Sequence, residues 1–536
     1  MSTGRKQSVV SDARRSLLWI PFVVVALVGC SIPTPAIMVT EKTEAAVEPV
    51  AAAASVTLVS TSTPIPTQPV EPTITPSPTP VPLPQVCLRQ RFADDAAACD
   101  TAPRYDVTMT LDLDDARVTG SEIITYTNAE SIPLSTLYLR LLPNTRGYGG
   151  AISISNVRVD GRTVSPTLEL DGAAAQIGLL PPLPPGAITT LTLNFAIDVP
   201  TTGGTGHALF SYLQGVMALP TVFPIVGVYD DDGWDIETVP EHGDEIHADV
   251  AIYHVDVTVP AERTLIASGS CTQPTIETWQ CEAAPMRDFT LIVGDNYRRA
   301  ARDVDGVVVN SYYYSQHEWG GNKALEVAVD AMTAFTELFG PYPYTELDIV
   351  ETPNYLGGME YSGLVVVEDG LYTGIGVEWL TAHEVAHQWW MVVVGNDQID
   401  HPWLDEALTQ YSTLLYYEQT YGEERAETIL RGEFQQVHES LQRRGRDMPA
   451  GLHAREYPPD LYWDVVYDKG ALYFHNLREL VGDDAFFTIL QTYFQRHRYE
   501  IATPEDFLTV VEDITGNAHR DLYNEWITGE DEDMEG

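Results

Sequence analysis

Positive charge is scarce in this sequence. Of 536 residues only 30 are Lys or Arg, against 77 Asp or Glu, which gives a formal net charge of −47. Lysine occurs at four positions: Lys6, Lys42, Lys323 and Lys469. A chain so poor in cations has no basic footprint to neutralise nucleic-acid phosphates, and no polybasic segment for an anionic membrane surface. Cysteine is scarce too. There are five, none in a Cys-x-x-Cys pair, which argues against thiolate zinc sites and dithiol redox motifs. No apolar run reaches the roughly 20 residues that span a bilayer. What remains is ample core material: 44% hydrophobic and 10% aromatic residues, too much for a disordered polyacid. The length suits about two to four domains.

The N-terminus reads as an export signal over residues 1–30. Arg5, Lys6, Arg14 and Arg15 precede an apolar stretch from Leu17 to Val28 that ends Leu27-Val28-Gly29-Cys30. This ending is similar to a bacterial lipobox, so Cys30 is the expected site of lipidation, and a cell-envelope lipoprotein facing the periplasm or exterior is the expected location. Residues 31–86 hold 12 of the 36 prolines and are expected to form an extended Pro/Thr-rich stalk. In an oxidising compartment the remaining cysteines, Cys87, Cys99, Cys271 and Cys281, are disulfide candidates. Three connectivities are open, and the two short loops, Cys87–Cys99 and Cys271–Cys281, are the expected pairing.

Residues 87–300 carry period-2 segments at Tyr105–Leu113, Ser121–Thr127, Thr189–Ile197 and Ala251–Val259, and another follows at Gly306–Tyr314. An antiparallel β domain is predicted. The cluster Tyr229-Asp230-Asp231-Asp232-Gly233 lacks an EF-hand's spaced ligands and reads as a turn. His242 and His247 read as solvated turn histidines, not as a second metal site. From about residue 301 to 528 the pattern becomes mainly helical: Asn322–Phe339, stopped by Gly340-Pro341, then helices near 374–393, 403–420, 424–444, 464–481, 484–498, 504–514 and 518–527. Short strands are expected at Leu347–Glu351 and Leu364–Val367. The fold class is therefore α+β, with an acidic tail at 529–536.

Within the helical part stands His383-Glu384-Val385-Ala386-His387. Imidazoles at i and i+4 lie on one helix face and can converge on one metal, with Glu384 able to reach a water there. A third ligand is needed. Glu406, in Trp403-Leu404-Asp405-Glu406-Ala407 at the start of the next predicted helix, is the candidate, with Asp405 the alternative. Two imidazoles and a carboxylate suit one Zn²⁺ per chain.

This spacing resembles the gluzincin metallopeptidases. Gly357-Gly358-Met359-Glu360-Tyr361 is similar to the exopeptidase motif of the membrane alanyl aminopeptidase and leukotriene hydrolase branch, and Tyr467-Asp468-Lys469-Gly470-Ala471 to its Tyr-x-Lys-Gly segment. The resemblance implies a saddle-like β domain followed by a thermolysin-like catalytic domain, and a peptide hydrolase of the aminopeptidase kind, with an endopeptidase of the same chemistry or a catalytically inactive peptidase-like binding protein as the alternatives. It implies Glu384 as general base, Tyr467 as hydrogen-bond donor to the oxyanion, Glu360 as the group that binds the substrate amine, and Gly357 and Gly358 as the place where substrate backbone approaches. Lys469 is expected to hold structure, and Trp389 and Trp390 to pack. Two departures stand out: Tyr361 replaces the family's Asn, and Gln214 lacks the pattern around the family's amine-binding glutamine. About 130 residues follow Glu406, so a short form without the family's C-terminal helical domain, and with a more open cleft, is expected. No motif sets an oligomeric state.

Overall fold

The β segments alternate inward and outward side chains as a half-buried sheet requires. In Arg104–Asp112, Tyr105, Val107, Met109 and Leu111 are buried, while Thr108 and Thr110 face out. This computed structural model describes residues 87–202, 209–238, 243, 247–354 and 357–529. The export signal with Cys30, the whole stalk, His242 and nearly all of the acidic tail lie outside them. The strand Arg104–Asp112 sits inside an eight-stranded sheet. It is antiparallel to Arg117–Thr127 and parallel to Ala251–Thr258, so one parallel pair interrupts the predicted antiparallel pattern. Two four-stranded sheets pack with it, one centred on Thr290–Gly294 and Val216–Pro220, the other on Leu134–Arg140 and Ala174–Leu183.

The chain changes sheet between Gly294 and Tyr297. Tyr297–Val304 and Val307–Tyr314 form a continuous hairpin that opens a five-stranded mixed sheet with Glu346–Thr352, Leu364–Glu368 and, at the edge, Gly358–Tyr361. Helix α1 (Glu318–Leu338) makes the crossover between the parallel strands Val307–Tyr314 and Glu346–Thr352. Its Ala324, Val327, Ala328, Ala331 and Phe335 are buried. Helix α2 (Gly376–Ala386) packs on α1 and on the strands at 358–368, and α3 (Glu406–Tyr421) packs beside α2.

Three predicted helices differ in detail. The one expected to run to residue 393 ends at Ala386, with His387 as its cap. Trp389–Val394 is apolar, so its pattern does not distinguish a helix from what forms here, a buried tight turn in which Met391 takes φ +112°. The segment 424–444 is interrupted by a π-helical stretch, Leu430–Gln435, and the helix near 464 begins with another, Trp463–Lys469, which carries Tyr467. Wide π turns of this kind often occur at functional sites.

Cys271 and Cys281 face each other on paired strands and are disulfide-bonded, as expected. The expected Cys87–Cys99 bond is not formed. Each thiol is buried in its own setting: Cys87 Sγ donates to the Glu282 carbonyl at 2.8 Å, and Cys99 packs with Ile252 and Ala284. Burial pushes both thiols up to about 12, so they stay protonated and unreactive.

Candidate metal and peptide site

Residues 381–387, at the C-terminal end of α2 and its cap, are all buried, and His383 and His387 stand one turn apart on the same side. His383 Nε2 and His387 Nε2 are 3.2 Å apart. α3 starts directly at Glu406, with Asp405 as its N-cap accepting from Glu406 N at 2.8 Å. That start brings Glu406 Oε2 to 3.4 Å from His383 Nε2 and 3.3 Å from His387 Nε2. Four ligands held tetrahedrally at zinc's usual bond lengths lie about 3.3–3.4 Å from one another, so this near-equilateral triangle has the dimensions of one face of a zinc site. Glu406 Oε2 has no hydrogen-bond partner among the described residues, and the donor set is chemically right for zinc. The ring of His387 is held from behind: its Nδ1 lies 3.2 Å from the Trp390 carbonyl and 3.2 Å from Thr409 Oγ1. Such outer partners fix the tautomer that turns Nε2 toward a metal.

The alternative third ligand, Asp405, instead caps α3. Tyr467 is at the cluster: its hydroxyl donates to Glu406 Oε1, and its ring stacks 5.8 Å from that of His383.

Glu384 and Glu360 meet beside the triangle. Oxygens of both carboxyls and a ring nitrogen of His387 lie within 4.8 Å of one another. Glu384 Oε2 and Glu360 Oε1 are buried without hydrogen-bond partners among the described residues. Burial, and then the charge of Glu406, lift the Glu360 carboxyl to about 7. Burial and the charge of Glu360 lift Glu384 well above the usual carboxylate range. Burial opposes charge on His387, yet Glu360 and Glu406 prevail and hold its imidazole at about 10. The site is a buried accumulation of carboxyls, and it favours cations.

Gly358 faces this pair. A Cβ there would strike the Glu384 carboxyl group, so only glycine leaves that group its place. Gly357 adopts φ +92° and is tied to Glu368 by hydrogen bonds in both directions. Tyr361 does not displace anything at the amine position. Alternation along the edge strand sends it to the opposite face from Glu360, fully buried in the core. Gln214 lies in an exposed turn between Ser211–Leu213 and Val216–Pro220. Lys469 Nζ bonds Asp447 Oδ1 at 2.7 Å and the Met448 carbonyl at 2.6 Å. The indoles of Trp389 and Trp390 are buried, donating to the Gly340 carbonyl and to Ser412 Oγ.

Several supporting residues carried no sequence signal. Gln388 bonds Gly363 N at 3.0 Å and the Tyr361 carbonyl at 3.1 Å, fastening the end of α2 to the turn after the edge strand. Arg287, fully buried, donates to the carbonyls of Met391, Ala248, Val393 and Glu500. His247, expected in solvent, is 5% exposed.

A His-Glu-x-x-His helix with a glutamate opening the next helix, beneath a strand edge bearing a further glutamate, defines the gluzincin class of metal site. Residues 323–526 match the peptidase family M1 domain. Among curated relatives, Aminopeptidase M1-B of Oryza sativa subsp. japonica is 26% identical over 52% of this chain and 34% of its own length. Aminopeptidase N of Lactococcus lactis subsp. lactis is 26% identical over 46% of this chain and 32% of its own length. The chain thus spans about a third of the length of these relatives. Among solved structures, an M1 zinc metallopeptidase from Deinococcus radiodurans superposes with a TM-score of 0.58 at 21% identity, covering 80% of this chain and 94% of that one. A mutant of it bound to a Tyr-Ser-Ala substrate gives 0.59 at 22% identity, covering 79% and 93%. The two-domain fold is shared.

Proposed function

We propose that this protein is a zinc-dependent aminopeptidase, removing residues from the N-termini of peptides. The observation that carries the reading is the contact between the buried carboxyls of Glu360 and Glu384 beside the His383–His387–Glu406 triangle. Two carboxyls forced together out of water, with Glu406 close by, favour a further cation beside them. A peptide's α-ammonium group beside Glu360 is such a cation, and that pairing admits only the first residue of a chain. The edge strand Gly358–Tyr361 offers unpaired backbone groups along which an extended peptide can align. Zinc bound to the triangle supplies a Lewis acid that polarises the scissile carbonyl and eases ionisation of water. Glu384 accepts the proton of the attacking water and returns it to the leaving amine. Tyr467 is the neutral donor to the oxyanion once its hydroxyl turns from Glu406 Oε1 to the reacting carbonyl. The names of the M1 relatives, and the tripeptide bound to the Deinococcus enzyme, support a peptide substrate.

The test is turnover of a free-amine peptide before and after chelation, and in Glu384→Gln. Loss on chelation with recovery on adding zinc, and an inactive Glu384→Gln that still holds its metal, fit the reading. Activity indifferent to both contradicts it. We further propose export and lipidation at Cys30, supported by the basic start, apolar stretch and lipobox-like ending of residues 1–30. Labelling with a fatty-acid analogue that persists in Cys30→Ala would sink that part.

A further inference from the structure

A second His/carboxylate cluster shares no residue with the catalytic one. Asp235 ends the short strand Gly233–Asp235 of the β part, His247 precedes the strand Ala251–Thr258, and Asp397 lies on the connection between His387 and Glu406. The His247 side chain is 4% exposed, and neither ring nitrogen has a hydrogen-bond partner among the described residues. Two carboxylate oxygens converge on the same nitrogen: Asp397 Oδ2 at 3.3 Å and Asp235 Oδ2 at 3.6 Å from Nδ1. Direct N–H···O bonds run about 2.7–3.2 Å, and neither of these contacts is a hydrogen bond. The separations are instead close to the edge of a tetrahedral coordination shell, about 3.3–3.5 Å for zinc with N and O ligands, and close to those of the catalytic triangle.

The other oxygen of each carboxylate is already engaged. Asp235 Oδ1 accepts from Glu237 N at 2.8 Å, and Asp397 Oδ1 accepts from Ile399 N and Asp400 N, both at 2.9 Å. Each Oδ2 is therefore held facing the imidazole. A cavity of about 550 Å³, lined by His247, Asp397, Asp249 and His401 among others, gives an ion and a water access from solvent.

We propose that Asp235, His247 and Asp397 bind a second divalent transition-metal ion, zinc being the natural occupant, as a structural site that fastens the β part to the connection leading into Glu406. One nitrogen and two oxygen ligands leave a fourth position for water and suit zinc. Calcium seeks six to eight oxygens and is poorly served. The neighbouring group of Glu237, Asp400 and His453 is different, because Arg455 already pairs with Glu237 at 2.7 Å and its backbone N–H donates to His453 Nδ1.

The experiment is metal counting by mass spectrometry on the full chain, stripped with chelator and reloaded with excess zinc followed by gel filtration. Wild type is expected to carry two zinc ions. His247→Gln, and separately Asp397→Asn, which keeps side-chain size, are each expected to carry one and to retain peptide hydrolysis. A His383→Ala/His387→Ala chain is expected to keep one zinc, and zinc should raise its melting temperature by at least about 2 °C. That shift should vanish when His247→Gln is added. One zinc in wild type at saturation overturns the proposal, as do two in the His247 and Asp397 variants.

Discussion

The hydroxyl of Tyr467 donates a hydrogen bond to Oε1 of Glu406, while Oε2 of the same carboxylate faces both His383 and His387. Tyr467 therefore touches the third ligand as well as flanking the reacting space. For Tyr467→Phe the oxyanion role predicts a fall in kcat of about 10²–10³, with KM changed only a few-fold. The bond to Glu406 predicts, separately, a metal affinity lower by about tenfold or more. Steady-state kinetics at saturating zinc separates the two. Full kcat once zinc is saturating would confine Tyr467 to ligand support.

Gly358 leaves no room for a Cβ against Glu384, the proposed general base. In Gly358→Ala the new methyl group collides with the Glu384 carboxyl, and either that side chain or the edge strand must shift. Overpacking of this kind costs about 1–3 kcal/mol, and a displaced base costs on the order of tenfold to a hundredfold in kcat. Kinetics and urea unfolding of the same preparation measure both. An alanine enzyme with wild-type kcat would mean that Glu384 is not held where the structure places it.

Arg287 joins the two halves at the turn that follows the metal helix. Its guanidinium donates to Met391 and Val393 from that turn, to Glu500, and to Ala248 in the β part, at 2.6–3.4 Å. Arg287→Met leaves these buried carbonyls without their donor. The expected loss is about 3–5 kcal/mol in urea unfolding, and a loss under about 1 kcal/mol would refute this role.

Much of this was legible beforehand, and the reasons differ by element. The strands Arg104–Asp112 and Ile188–Asp198 were readable because one face of each is core and the other solvent, so the sequence alternates. His383, Glu384 and His387 were readable because helix geometry alone converts their spacing into a shared face. The position of Glu406 followed from the length needed to turn and restart. What was hidden depends on contacts far apart in sequence. Arg287 bonds residues more than a hundred positions away, and a lone arginine carries no local signature. His247 looked solvated because its neighbours are acidic, yet folding brings Asp397 over it. The Cys87–Cys99 pairing failed because proximity in sequence says nothing about which core each thiol enters.

Asp288 sets a pH dependence. It is fully buried, accepts from Ser362 N at 2.9 Å, Ser362 Oγ at 2.6 Å and Thr290 Oγ1 at 3.3 Å, and burial still lifts its carboxyl to about 6. A carboxyl whose pKa is raised by folding binds its proton more tightly in the native state. Its contribution is complete below about pH 4, where both states are protonated, and is lost as pH rises through about 6. Over that window Asp288 removes about 3 kcal/mol. Urea midpoints from pH 4 to 8 should fall less steeply in Asp288→Asn than in wild type. Identical slopes would show that Asp288 does not titrate in this range.

The buried Glu360–Glu384 pair is proposed to recognise a free amine beside a metal-activated hydrolytic centre. The most direct measurement compares one peptide with its N-acetylated form by mass spectrometry of the products, in the zinc-loaded enzyme and in Glu360→Gln. The expected result is release of single residues from the free-amine peptide, no cleavage of the acetylated one, and a loss in kcat/KM of at least about a hundredfold in Glu360→Gln. Cleavage of the acetylated peptide at internal bonds, at a rate matching the free one and untouched by Glu360→Gln, would contradict it.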